Sequence, residues 1–409
     1  MRVIPGQAQS FDLRSLIGGI YLPALFFGIG QWMIIPAIPQ FADELGASVF
    51  LSGIIFAARG AGSMIGDVPS GLLMSRLGGR VTMTSGVVLT AVTAAAMGFS
   101  SGPATLGLFT LLNGVAFALW HVSRLAYMTE TVPVEYRGRA LSLVGGVTRV
   151  GFFAGPIVGG AIAQFGGLET VFFAQAVVVG VAALLVATRL PEPRGGDAGT
   201  PERPHVSLRS VALAERASLI VAGSVAVTLV LIRHGRQFLI PVWGREALDL
   251  DPFEIGLIFG LASAIDMVMF YPVGVVMDRW GRKWVIVPSL LVLSASLLLM
   301  PLTAGFVSFL LVGLLSGFGN GLGSGAVMTL GADLAPPDAA GEFLGLWRLV
   351  GDVGAVAAPP AIGGLEDLFT LDAAAAVTGI IGLAGGVIML LLVRETLTRS
   401  REPARASPR

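Results

Sequence analysis

Ionisable side chains set inside long apolar stretches are the residues of this chain best placed to do chemistry. Arg59, Arg124, Arg149, Arg233, Arg236 and Arg348 sit in such stretches, as do His121, His234, Asp266 and Asp352. In hydrocarbon each charge costs roughly 2.5–3.5 kcal/mol or more, so these groups face one another or a wet crevice and mark the path of a solute or ion. Arginine offers a rigid fork of donors matched to carboxylate or phosphate, so an arginine-rich crevice with few acids favours an anionic or zwitterionic solute. The histidines titrate near neutrality and, with Asp266 and Asp352, are the candidates for carrying a proton. Spacing groups some of them: His121 with Arg124 and Arg233 with Gln237 share helix faces, and Arg348 and Asp352 stand one turn apart and can neutralise each other.

Other chemistries lack their residues. The chain has no cysteine, hence no disulfide, thiolate metal site or cysteine nucleophile. Among its three histidines, His205 lies in a polar stretch, which leaves no cluster for a metal. No Walker A loop, dinucleotide fingerprint or H-E-x-x-H motif is present, so neither an enzyme nor a bound cofactor is expected. The run Gly317-Phe-Gly319-Asn-Gly321-Leu-Gly323 lies within an apolar stretch and predicts close helix packing rather than a nucleotide loop.

The elements that must position the charged groups follow from composition. Of 409 residues, 54% are hydrophobic and 13% charged, about half the charge of a soluble domain, and the mean hydropathy is +0.82. A soluble enzyme, a disordered chain and a nucleic-acid binder are thereby excluded; the equal counts of basic and acidic residues, 26 each, point to no polyanionic partner. Apolar runs long enough to cross a bilayer number twelve, at about 16–39, 49–74, 81–100, 104–128, 140–163, 171–188, 217–242, 254–277, 284–303, 305–332, 343–362 and 371–393. The first is too long for a signal peptide and no small-residue cleavage site follows, so it counts as span 1. Lysine and arginine outside the spans fall on one set of loops and both ends, among them Arg76, Arg80, Arg137, Arg139, Arg282 and Lys283; the opposite loops hold Arg245 alone. The positive-inside rule then places both termini in the cytoplasm and the chain in the cytoplasmic membrane.

The halves repeat. At an offset of 203 residues PSGLLMSRLGGR (69–80) superposes on PVGVVMDRWGRK (272–283), and Gly138, Pro133 and Pro156 fall on Gly341, Pro336 and Pro359. The expected architecture is all-α and membrane-integral: twelve spans in two pseudo-symmetric six-helix bundles, 1–188 and 217–393, joined by a polar linker, 189–216, and followed by a tail, 394–409.

With these features the chain resembles a member of the major facilitator superfamily. Gly274-Val-Val-Met-Asp278-Arg279-Trp-Gly281-Arg282-Lys283 matches the family's loop between spans 8 and 9, and Gly71-Leu-Leu-Met-Ser75-Arg76-Leu-Gly78-Gly79-Arg80 is its copy between spans 2 and 3, with Ser75 and Gly79 in place of an acid and an arginine. Gly151-Phe-Phe-Ala-Gly155-Pro156-Ile-Val-Gly159-Gly160 in span 5 is similar to the motif of drug–proton antiporters, while Thr110 stands where that group carries an arginine. The resemblance implies a monomeric secondary transporter of a small molecule, driven by a proton gradient, whose cytoplasmic loops latch the halves. It implies that spans 1, 4, 7 and 10 line the crevice, through Gln31, Trp32, Asn113, His121, Arg124, Arg233, His234, Gln237 and Asn320. It also implies that spans 2 and 11, and 5 and 8, meet across the halves, so Arg59 with Asp352 and Arg149 with Asp266 are expected pairs, the first competing with the local Arg348–Asp352 pair. Arg233 and Arg236 lie toward the outer half of span 7, where snorkelling to the membrane surface is the competing fate. The span 5 motif favours export; uptake by symport on the same fold and a non-transporting receptor or scaffold are the alternatives.

Overall fold

The computed structural model describes residues 13–190 and 207–397, and among them the chain is helical with no strand. Span 1 starts as short turns (Leu13–Leu16, Ile17–Tyr21), runs as Leu22–Met33, breaks, and resumes as Ala37–Glu44. Pro36 and Pro39 account for the break, since neither can donate a backbone hydrogen bond. Spans 2 to 6 are single helices, Val49–Leu77, Gly79–Gly98, Pro103–Thr131, Val134–Gly166 and Leu168–Arg189. Spans 7 to 9 are Arg216–Glu246, Pro252–Trp280 and Lys283–Leu299, the last prolonged by the turn Met300–Leu302. Span 10 is split into Phe306–Leu322 and Ala326–Leu334, and spans 11 and 12 are Ala340–Leu368 and Leu371–Leu391.

Besides the break in span 1, expected as one run ending near 39, two expectations change. The linker contains a short helix, Leu208–Ala214, while 191–206 lie outside the described residues, as do 1–12 and the tail beyond 397. Span 10, expected as one run, is interrupted because Gly325 adopts a left-handed conformation (φ 74°) beside Gly323. Among the described residues, eleven helices are long and apolar enough to cross a membrane. Span 11 has the length, 29 residues, but Arg348 and Asp352 at its middle dilute its hydropathy.

The duplication is visible in the packing. Span 2 packs on span 4, span 3 on spans 4 and 6, and span 1 on spans 5 and 6; in the second half span 8 packs on span 10, span 9 on spans 10 and 12, and span 7 on spans 11 and 12. The two loops of the sequence repeat turn at equivalent glycines, Gly78 (φ 83°) and Gly281 (φ 110°), where a side chain would be strained.

The halves meet along two antiparallel seams, span 2 with span 11 and span 5 with span 8. At one end the backbones touch. A Cβ on Gly53 would run into Pro359, one on Gly363 into Val49 and Phe50, and one on Gly256 into Pro156 and Gly160. Asp367 closes the same end, accepting from the Ser48 hydroxyl (3.1 Å) and the Phe50 N–H (3.4 Å). At the other end, toward the arginine-rich loops, Gly71, Gly138, Gly145, Gly274, Gly341 and Gly345 have open space where a Cβ would stand. The molecule is therefore shut on one face and open on the face that carries both ends of the described chain.

A matched pair of substitutions tests this asymmetry. Gly256→Ala drives a methyl group into the Pro156 backbone and is expected to destabilise the purified protein by about 1–3 kcal/mol in thermal unfolding. Gly71→Ala adds the same methyl group to open space and is expected to leave the transition in place.

Candidate functional site

Between the halves, on the open side of the seams, lies a cavity of about 240 Å³ lined by Arg59, Ser63, Met64, Asp67, Phe117, His234, Arg348, Asp352 and Val356. A neighbouring space of about 170 Å³ shares Arg59, Gly60, His234 and Ala355 with it and adds Trp32, Ile35, Phe56, Ala57 and Gln237. A third, also about 240 Å³, lies beside spans 4 and 5 and is lined by His121, Arg124, Arg149, Phe152 and aliphatic side chains. Aromatic contacts between the halves close the region from the sealed side: Phe56 on Phe238, with ring centroids 5.7 Å apart, and Trp32 on Phe259, 6.3 Å apart. Trp32 also packs on Phe152 at 4.1 Å.

Several expected residues converge here. Arg59 and His234 reach both of the first two cavities, Trp32 and Gln237 line the second, and His121 with Arg124 share the third. The Arg59 guanidinium donates to the Gln31 side-chain oxygen and lies 5.1 Å from the centroid of Phe117. Arg124 stands 5.4 Å over Trp120, and Arg149 lies 3.9 Å over Phe270 of the opposite half. Aromatic faces attract such cations while leaving hydrogen-bond donors free for a ligand. His234 Nδ1 lies 3.0 Å from the Val230 carbonyl. A carbonyl only accepts, so Nδ1 carries the hydrogen in this contact.

Other residues fall elsewhere. Asn113 is fully buried against span 3, donating to Thr93 Oγ1 (3.1 Å) and the Thr90 carbonyl (3.3 Å). Arg233 and Arg236 do not snorkel: Arg233 donates to the Asn320 carbonyl (3.0 Å) and Arg236, 3% exposed, to Ser316 Oγ (3.1 Å). Both arginines thus bind span 7 to span 10, Arg233 at the carbonyl end of Phe306–Leu322, where a cation is favoured. Asn320 enters through its backbone alone in that bond.

The expected ion pairs also change. Among the described residues no ion pair joins Arg59 to Asp352 or Arg149 to Asp266. Arg348 takes both carboxylates instead, Asp67 across the halves at 3.0 Å and Asp352 on its own helix at 3.7 Å. Asp266 accepts from Ser324 (3.3 Å), and its charge acts on Arg149, Arg233 and Arg236 alike. Asp67 was absent from the sequence-derived set. Its signal was available: Arg59, Ser63 and Asp67 recur every four residues, one face of span 2.

In the loop expected to latch the halves, Gly274 to Lys283, the bonds of Arg282 and Lys283 lie within their own half. Arg282 pairs with Asp333 at 2.6 Å and donates to the Met277 carbonyl, Lys283 Nζ donates to the Leu390 carbonyl (2.9 Å), and Asp278 and Arg279 are exposed. In the equivalent loop Arg80 donates to the Ala187 carbonyl (2.6 Å), also in its own half, and Arg76 is exposed. Burial alone would raise the Glu395 carboxyl, but the backbone N–H groups of Arg282, Lys283, Leu397 and Thr396 outweigh it and hold the group below its ordinary 4.5. The span 5 motif serves packing on two sides: Gly151, Gly155 and Gly159 lie against Gly28, Ile29 and Met33 of span 1, and Pro156 and Gly160 against Pro252 and Gly256 of span 8.

Known proteins bear on this arrangement. The family profile described as Major Facilitator Superfamily matches residues 20–234 and 225–409. The tetracenomycin C resistance and export protein of Streptomyces glaucescens is 39% identical over 118 residues, 29% of this chain and 22% of that one. Multidrug resistance protein MdtH of Shigella boydii is 23% identical over 332 residues, 78% of this chain and 79% of the relative. Among solved structures, a D-xylose–proton symporter superposes with a TM-score of 0.72 at 16% identity, covering 94% of this chain and 98% of its own, and a POT family transporter with 0.76 at 12% identity, covering 92% and 95%.

Two measurements follow from this geometry. Replacing Arg233 with Leu removes the tie between span 7 and the Asn320 carbonyl, which keeps only the Gly323 N–H, and is expected to cost about 1 kcal/mol of unfolding stability. Glu395 is lowered in the folded state, so its clip on the loop is complete above its ordinary 4.5 and is lost as pH falls below it. The protection of the Arg282 and Lys283 amides against hydrogen exchange, relative to the intrinsic rate at each pH, is expected to fall in that acid range, and in Glu395→Gln already at neutral pH.

Proposed function

This chain belongs to the major facilitator superfamily of membrane transporters, and from that premise we propose that it exports a small amphipathic compound bearing an anionic or zwitterionic group in exchange for protons. The observation that carries the reading is the balance of charge in the crevice. Arg59, Arg124 and Arg149 face the cavities, held by an amide or an aromatic ring rather than by carboxylates, beside His121 and His234. The nearby acids, Asp67 and Asp352, are taken by Arg348. Trp32, Phe56, Phe117 and Phe152 supply apolar walls for the rest of the molecule.

The arginine-rich face is the cytoplasmic one by the positive-inside rule, so the crevice described here is open to the cytoplasm, where an exporter loads. Relatives named for tetracenomycin C export and multidrug resistance support the same direction. Alternation follows from the two seams: closing the open ends of spans 2, 5, 8 and 11 while parting their glycine-packed ends exposes the crevice to the other side.

The test is transport by the purified protein in liposomes under an imposed pH gradient, screened over anionic, zwitterionic and neutral amphipathic compounds. Export predicts that substrate moves against the direction of proton flow, and Arg59→Gln is expected to weaken an anionic substrate about tenfold or more while sparing a neutral one. Substrate accumulating together with protons would make the protein an importer.

A further inference from the structure

Asp67, Arg348 and Asp352 form a cluster distinct from Arg59, Arg124 and Arg149, the arginines assigned above to the anionic group of the solute. Arg348 Nη2 lies 3.0 Å from Asp67 Oδ2 across the halves, and its Nε lies 3.7 Å from Asp352 Oδ2. One guanidinium serves two carboxylates, so the fully ionised cluster carries one negative charge in excess. All three side chains line the cavity of about 240 Å³ on the open side of the seams, within reach of that face's water. The cluster also marks the point where spans 2 and 11 part: toward one end Gly53 and Gly363 are pressed against the opposite backbone, toward the other Gly71 and Gly345 face open space. The charged groups around it are few. Span 2 contributes Arg59, committed to Gln31, span 7 contributes His234 and span 4 His121. Span 12 carries only Asp372, at its far end, and Arg209 of the segment Leu208–Ala214 is exposed.

We propose that Asp67 and Asp352 share the transported proton and that its arrival releases the Asp67–Arg348 tie between the halves. The proposal rests on reading the protein as proton-coupled. In the step itself, a proton from water binds one Oδ of Asp67, and the carboxylate–guanidinium pair becomes a neutral acid beside an Arg348 still neutralised by Asp352. No other bond is made or broken. The state described here, with both carboxylates on Arg348 and the crevice open to the arginine-rich face, is the one that remains after the proton has left toward that face. Because the tie spans the halves, proton binding and conformation are linked, and each shifts the other by the same factor.

The chain has no cysteine, so Gly71→Cys combined with Gly345→Cys gives a background-free reporter of closure at the open ends of spans 2 and 11. In the full-length protein in liposomes without substrate, nitroxide labels attached to the two cysteines at neutral pH report the distance between them, and the short-distance yield is expected to rise about fivefold or more from about pH 7 to about pH 4. Asp67→Asn is expected to give the acid yield at every pH. Asp67→Glu is expected to keep the response, which shows that variants at this position fold. Arg348→Gln removes the cation of the tie and is likewise expected to give the acid yield at every pH. An unchanged response in both Asp67→Asn and Asp352→Asn, or a response abolished instead by His234→Asn, overturns the proposal. The assay contains no substrate, so a failure to transport any anion would overturn the export reading and leave this result standing.

Discussion

Backbone-to-backbone contact across the two seams is the constraint on which the rest of the molecule depends. Lipid tails are as apolar as leucine, so helices in a bilayer gain nothing by hiding leucine from them; close approach between small residues holds them together instead. The chain meets this need with glycine and proline at the shut ends of spans 2, 5, 8 and 11, where Gly53 meets Pro359 and Gly256 meets Pro156. Span 5 is the most heavily committed element. One set of its glycines seats span 1 and another seats span 8, so the position of the Trp32 wall and the position of the opposite half are fixed by the same helix.

Charge is sorted by the same geometry. Arginines whose donors find backbone or hydroxyl oxygen within one half, Arg233, Arg236 and Arg282, become fasteners between helices. Arginines left at the parting of the halves, Arg59, Arg149 and Arg348, take side-chain partners that a rocking motion can exchange: an amide, an aromatic ring, a pair of acids. The division explains how a chain with so few charged residues can hold several arginines at depth. Each has a hydrogen-bond, aromatic or carboxylate partner inside the protein, so none is left to face lipid alone.

Much of this was legible in the sequence. The duplicated loop motif, PSGLLMSRLGGR over PVGVVMDRWGRK, pointed to the two-bundle architecture, because turns that match in one register mark a repeated unit. The helix pairing across the halves followed from family resemblance. What stayed hidden was rotation. A helical position turns by about 100° per residue, so Arg233 and Gln237 share a face, yet one binds span 10 and the other reaches the cavity. Asn113 looked like a crevice residue and instead satisfies span 3, since a buried amide takes whichever partner its helix presents. Asp67 was overlooked because the run around it is apolar on average, and an average conceals a single carboxylate on one face. The breaks in spans 1 and 10 arise from proline pairs and a left-handed glycine, which hydropathy does not register.

The divided tenth span has a mechanical corollary. Ala326–Leu334 hangs from Phe306–Leu322 by three residues, two of them glycine, while its far end is lashed at Asp333 to Arg282 and to Thr396. A short rod pivoted at one end and tied at the other behaves as a crank. Displacement of the chain just after the last span is thereby delivered to the pivot beside Asn320, where Arg233 binds span 7 to span 10.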